Sequence, residues 1–137
     1  MNTRLQVEHP VTEEVIDRDL IKEQIKVAAG EPIKGESQLP QLHAIEVRIN
    51  AEDPSNNYLP SPGPVALLHV PNGFGIRFDS LLDTGYSGSP FYDSLVGKLI
   101  VHAENREQAI LKMKAALDEL VIKGFETNIH FHFRDSN

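Results

Sequence analysis

Hydrophobic and polar positions change period several times along this chain, and the changes mark its elements. In residues 2–8, Asn2, Arg4, Gln6 and Glu8 alternate with Thr3, Leu5 and Val7. An extended segment with that pattern places all four polar groups on one side. After Pro10 the spacing becomes helical. Leu20, Ile21, Gln24, Ile25 and Ala28 share a face, Asp17 or Asp19 can cap its start, and Gly30 followed by Glu31 and Pro32 ends it. Residues 31–41 read as a loop. His43–Asn50 alternates again, with Ile45, Val47 and Ile49 on one face and Glu46, Arg48 and Asn50 on the other, which predicts a strand. Between 51 and 64, Pro54, Pro60, Pro62, Gly63 and Pro64 break regular structure and stiffen the connection.

Short strands are predicted at 65–70, 75–80 and 95–102, separated by Pro71-Asn72-Gly73 and by the turn-forming stretch 83–90. Asn105 opens a second helix, with Gln108 in capping-box position. Its apolar face is Ala109, Ile110, Met113, Ala116, Leu117 and Leu120, and Lys123-Gly124 closes it. Residues 125–133 return to short-period alternation and predict a last strand. The sum is an α+β domain: a curled antiparallel sheet with a flanking helix, preceded by one helix and a strand bearing polar chemistry.

Composition narrows the function classes. The chain has 137 residues, enough for one domain with a real core. Its formal net charge is -7, from 13 basic and 20 acidic residues, without a basic block. Nucleic acid is therefore not an expected partner, because phosphate neutralisation needs clustered Lys and Arg. The absence of cysteine excludes disulfides and thiolate chemistry. No apolar run approaches the roughly 18 residues that span a bilayer, so no membrane association and a cytoplasmic location are expected.

The densest chemistry lies at the very start, as though the chain began inside an active site. An amide, a guanidinium, a second amide and a carboxylate on one edge can hold a small planar anion and move its proton. A carboxylate at Glu8 beside Arg4 would have a lowered pKa, keeping it ionised and ready to accept. Arg48 places a fixed positive charge on the polar face of a strand, where it serves chemistry or pairs with Glu46 or Glu52. Phe74 and Arg77 are residue types enriched at interface cores. His130 and His132 alternate on the last expected strand, but two histidines with no third ligand nearby do not make a metal site.

Longer stretches add a resemblance. Residues 1–10 and Glu46-Val47-Arg48-Ile49-Asn50-Ala51-Glu52-Asp53-Pro54 resemble the biotin carboxylase family, a branch of the ATP-grasp ligases. So do Leu59-Pro60-Ser61-Pro62-Gly63, Tyr92-Asp93-Ser94-Leu95-Val96-Gly97-Lys98 and Glu104-Asn105-Arg106, and the similarity runs to about Asn128. The resemblance implies that residues 1–40 are the C-terminal remnant of the ATP-grasp central domain and 41–137 the biotin carboxylase C-terminal domain. The parts of the family that hold most of the ATP site would precede Met1.

The implied parent reaction joins ATP and bicarbonate into carboxyphosphate and passes the carboxyl group to N1′ of biotin on its carrier protein. The parent would be acetyl-CoA carboxylase or a related acyl-CoA or pyruvate carboxylase. By resemblance Glu8 is the general base toward bicarbonate, and Arg4, Gln6 and the Val7 backbone clamp that anion. Arg48, with Arg4, contacts biotin, and Arg48 stabilises its enolate. Asn2 gives one oxygen to Mg2+ (or Mn2+), and Phe74 and Arg77 lie at a homodimer contact. The implied partners are the biotin carboxyl carrier protein and a carboxyltransferase component. The chain alone is expected to be inactive. Two other readings are a stand-alone binding or dimerisation module from the same ancestor, and a piece of another ATP-grasp ligase.

Overall fold

The nine residues Leu95–Ala103 form the middle strand of the main sheet in a computed structural model that describes every residue except 34, 36, 38, 87–92 and 135–137. In chain order the elements are α1 (His9–Ile16), α2 (Leu20–Ala28), β1 (His43–Asn50), β2 (Glu52–Asp53), β3 (Leu59–Pro60), β4 (Leu67–His69), β5 (Ile76–Ser80), β6 (Leu95–Ala103), α3 (Arg106–Glu119), β7 (Val121–Lys123) and α4 (Ile129–Arg134). β6 lies between β1 and β5, antiparallel to both, while β2 pairs with β3 and β4 with β7.

The register decides which side chains meet. Arg48 of β1 stands opposite Lys98 of β6, and Lys98 stands opposite Asp79 of β5. Paired residues point to the same side of a sheet, so Arg48, Lys98 and Asp79 form a charged row across three strands. One residue further on, Ile49, Leu99, Phe78 and Val101 point the other way. There Ile49, Leu99 and Val101 are fully buried against Met113, Ala116, Leu117 and Leu120 at the inner side of α3. Each fully buried Leu, Ile or Val contributes roughly 1.5–3 kcal/mol relative to exposure, so this face is the main source of stability.

The charged face is covered as well, by α1, which packs across β1 and β6. That explains why Ile100 is fully buried although it lies on the same side as Lys98. The sheet is thus sandwiched between α3 and α1.

Several local expectations hold. Asp19 caps α2 by accepting the Lys22 N–H at 2.8 Å. Gly30 follows its end at φ +90, and Asn105 caps α3 by accepting the Gln108 N–H at 2.9 Å.

Others are corrected. Residues 2–8 are not extended: they bend and turn into α1, which begins at His9. The stretch 51–64 holds the short β2–β3 ribbon around a 3-10 turn at Pro54–Asn56 rather than only a loop. α3 ends at Glu119, and Lys123-Gly124 closes β7 instead. Gly124 is required there, because at φ +120 any Cβ would run into the Pro64 carbonyl oxygen. The last element is the helix α4, not a strand. Positions 87–90 of the expected turn, and Tyr92, lie outside the described residues.

Candidate catalytic site

Glu8 is brought to Arg48 by α1. Glu8 is the residue before the first helical turn, and its carbonyl accepts the Val11 N–H at 3.1 Å. Pro10 near the helix start has no N–H to lose there, and its fixed φ suits the turn. Pro10 is fully buried.

Further along α1, Glu13 is buried and doubly used: Oε1 accepts the Leu20 N–H at 2.8 Å and Oε2 accepts Arg77 Nη1 at 2.7 Å. Arg77 also donates through Nε and Nη2 to the two oxygens of Asp79, both at 2.8 Å. His102 Nδ1 donates to Glu14 Oε2 at 2.6 Å. The Arg77 guanidinium holds the Asp79 carboxyl below the usual carboxylate range, and the two acids raise Arg77 in turn. Side-chain bonds to charged groups of this kind, partly shielded from water, are stronger than exposed ion pairs. They fix α1 on the sheet, and with it the segment that carries Glu8.

Three candidate side chains come together. Gln6 Nε2 donates to Glu8 Oε1 at 2.8 Å, and Arg48 Nη2 lies 3.5 Å from Glu8 Oε2. The Glu8 and Arg48 side chains are 54% and 55% exposed, so the pair is open to a substrate and adds at most about 1 kcal/mol to stability. The Val7 carbonyl accepts from Lys98 Nζ at 3.1 Å.

The Arg48 backbone is held from behind. Its carbonyl accepts from Asn128 Nδ2 at 3.0 Å and faces His132 Nε2 at 3.2 Å. Asn128 Oδ1 accepts the Asn50 N–H at 2.9 Å, where the β1–β6 register shifts.

Two candidates are not brought in. Arg4 bends back so that Nη1 donates to the Leu5 carbonyl at 3.1 Å. Among the described residues neither Arg4 nor Asn2 bonds to Gln6, Glu8 or Arg48. The cation facing Glu8 is Arg48, not the expected Arg4, because the turn at residues 7–8 breaks the alternation that would have aligned Arg4 with Glu8. Arg48 in turn pairs with neither Glu46 nor Glu52; Glu52 accepts from Asn50 Nδ2 and from the Ser94 hydroxyl.

Asn2 is exposed, and no group of three or more His, Cys, Asp or Glu among the described residues is gathered for a metal ion. One neutral amide does not make a magnesium site by itself. Phe74 is 91% exposed, with its ring edge-on to His102 and Lys112 above it, whereas Arg77 is committed inside the chain. His130 and His132 sit two apart on α4, a spacing at which helical side chains do not face each other.

Lys98, Glu13 and Asn128 were not among the sequence candidates. A lysine inside the otherwise apolar Leu95-Val96-Gly97-Lys98-Leu99-Ile100 run was the one visible signal, since a charge there must face a partner.

Comparison with known proteins gives the lineage. The model of the biotin carboxylase C-terminal domain matches residues 46–134, and that of the carbamoyl-phosphate synthase L chain ATP-binding domain matches residues 1–36. The chain is 52% identical over 136 residues to biotin carboxylase 1 of Bacillus subtilis, and 53% identical over 134 residues to the biotin carboxylase of Haemophilus influenzae. Those alignments take in 98% and 96% of this chain but 30% of either relative, so the chain spans about a third of their length.

Among solved structures, the biotin carboxylase domain dimer of the 2-oxoglutarate carboxylase of Hydrogenobacter thermophilus, in complex with MgADP, ADP and bicarbonate, superposes with a TM-score of 0.92 at 42% identity. It covers 99% of this chain and 32% of that one. A biotin carboxylase from Campylobacter jejuni gives a TM-score of 0.92 at 48% identity, over 98% of this chain and 30% of that one. With a family match over 46–134, about half of the residues identical to curated relatives and a fold that superposes on solved members, the chain belongs to the biotin carboxylase family, and residues 46–134 are its C-terminal domain.

Proposed function

We infer that this chain supplies the bicarbonate- and biotin-facing edge of a biotin carboxylase. The observation that carries the reading is the meeting of Glu8 and Arg48, two motif residues 40 positions apart, on an open face with Gln6. Bicarbonate fits that face as a planar anion. Gln6 donates to one of its oxygens, Arg4 swings from the Leu5 carbonyl to grip it with two N–H groups, and the Glu8 carboxylate takes its proton. The oxygen so freed attacks the γ-phosphorus of ATP, giving carboxyphosphate and ADP.

Arg48 then faces the ureido oxygen of carrier-bound biotin. When N1′ loses its proton, negative charge develops on that oxygen, and the Arg48 guanidinium, carried on a strand position whose backbone Asn128 holds, stabilises it. The N1′ nitrogen takes the carboxyl carbon of carboxyphosphate as its C–O bond to the phosphate breaks, and the inorganic phosphate released carries away the N1′ proton. The MgADP and bicarbonate of the Hydrogenobacter neighbour support this substrate set. ATP itself is bound chiefly by parts of the protein outside this chain, and the carrier and a carboxyltransferase are the expected partners. Residues 1–40 and 41–137 act as the end of the ATP-binding domain and the C-terminal domain.

The test is a chimera in which this chain replaces the matching 30% of Bacillus subtilis biotin carboxylase 1. The chimera is expected to form ADP in a reaction that needs both bicarbonate and free biotin, and the chain alone is expected to form none, because catalysis needs both substrates aligned. A folded chimera without that dependence would overturn the reading.

A further inference from the structure

Among the described residues, Lys98 donates the hydrogen bond that ties the backbone of the base-bearing segment to the sheet. The other described backbone bonds of residues 1–8 are local: Arg4 Nη1 donates to the Leu5 carbonyl, His9 N–H and His9 Nδ1 both donate to the Gln6 carbonyl, and the Glu8 carbonyl accepts from Val11. Among the described residues, two bonds reach this segment from the sheet. One is the side-chain pair of Arg48 with Glu8, which a substrate entering between them would break. The other is Lys98 Nζ to the Val7 carbonyl, spanning 91 positions.

The lysine is well placed for this. Its side chain is 13% exposed, its ammonium lies 3.7 Å from Asp79 Oδ2, and Asp79 is itself locked by two bonds from Arg77. Its Cα is opposite Arg48 in the β1–β6 register. A shielded ammonium with a fixed carboxylate on one side has few directions left for its other N–H bonds, and one of these ends on Val7.

Resting on the function inferred above, we propose that Lys98 is a positioning residue for the reaction, holding the Val7 carbonyl so that Glu8 stays at a set distance from Arg48 while bicarbonate lies between them. Lys98 touches no substrate. It acts through the backbone of Val7 on the geometry of proton transfer, where a displacement of about 1 Å costs on the order of 100-fold in rate.

The experiment compares Lys98→Met, Lys98→Arg, Glu8→Gln and the Lys98→Met/Glu8→Gln double variant in the Bacillus chimera, following ADP formation against bicarbonate and against ATP. Lys98→Met is expected to lower kcat/KM for bicarbonate by at least about 30-fold while KM for ATP stays within about threefold. Lys98→Arg, which keeps a charged donor in reach of Val7, restores most of the loss. The double variant is expected to be no slower than Glu8→Gln alone, since a positioner has nothing left to position.

Bicarbonate kinetics unchanged in Lys98→Met, or a loss shared equally with ATP and additive with Glu8→Gln, would overturn the proposal. Should Lys98→Met not fold, Lys98→Gln is judged by the same criteria, and failure of both to fold makes the lysine a stability residue only. An inactive chimera without substitutions would instead sink the reading of the site itself, and this inference with it.

Discussion

Glu46 and Asp79 sit on the same charged face and shift in opposite directions. Burial pushes the Glu46 carboxyl up from its ordinary value, opposed by Lys98 and Arg48, and its Oε2 is buried without a hydrogen-bond partner. The hydrogen bonds of Arg77 pull Asp79 down. The signs follow from linkage. Glu46 favours the fold most when neutral, so its contribution is full below about pH 4.5 and is lost as pH rises through its raised value. Asp79 contributes above its unfolded value of 3.8 and loses that contribution as pH falls below it. Thermal melts of the chain should therefore show Glu46→Gln gaining on the parent as pH rises toward neutrality. Asp79→Asn should lose stability at neutral pH and converge with the parent in acid. Parallel pH profiles for all three proteins would refute both assignments.

At this scale the sequence was legible where a residue's role is local or motif-bound. Glu8, Gln6 and Arg48 could be named because alternation and motif both marked them. The Arg77–Glu13 bond could not, because its partners are 64 positions apart and the expected helix was placed at residues 20–28 rather than 9–16. The Arg4–Glu8 pairing was misjudged for a related reason: it assumed an extended segment where the backbone turns.

At the scale of elements, α3 and β6 form the stability unit. Asn105→Ala removes the α3 cap and is expected to cost about 1 kcal/mol, read from denaturant unfolding. Leu99→Ala opens a cavity at a fully buried position and is expected to cost about 2–5 kcal/mol. An Asn105 variant costing more than Leu99→Ala would contradict this ranking.

The elements that could be read from the sequence, α2, β1, β4, β5, β6 and α3, have a periodic pattern or flanking turn signals, although the end of α3 was set too late. Those that could not are short or carry contrary signals. α1 opens on His-Pro and is rich in β-branched Val11, Thr12, Val15 and Ile16, which favour strands. α4 reads as alternating aromatic and polar residues, and docking beside β1 overrides that strand-like text. β7 is three residues long, below what periodicity can resolve.

For the whole molecule, part of the exposed apolar surface lies beside charged side chains in one groove. A groove of about 1380 Å3 runs between α2 and the β5 end of the sheet, lined by Ile21, Ile25, Leu42 and Phe74 among others. Phe74 and Ile25 are 91% and 65% exposed. The related Hydrogenobacter domain was solved as a dimer, and a homodimer contact at Phe74 is our proposal for this chain, with Arg77 serving as its support rather than its contact. Sedimentation equilibrium of the chimera should give a dimer that Phe74→Glu converts to monomer; a dimer unmoved by that change would place the contact elsewhere. The α+β architecture was legible as a whole because the sheet and α3 dominate it. The covering of the charged face by α1 was not.

The central claim is that Glu8 removes the bicarbonate proton in a site shared with Arg48, and the most direct measurement is the bicarbonate-dependent rate of ADP formation by the Glu8→Gln chimera. The amide keeps the shape and the contact with Gln6 but cannot accept the proton. A fall of about 100- to 10,000-fold, with an unchanged melting curve, is the predicted result. A rate within about threefold of the parent would contradict the account.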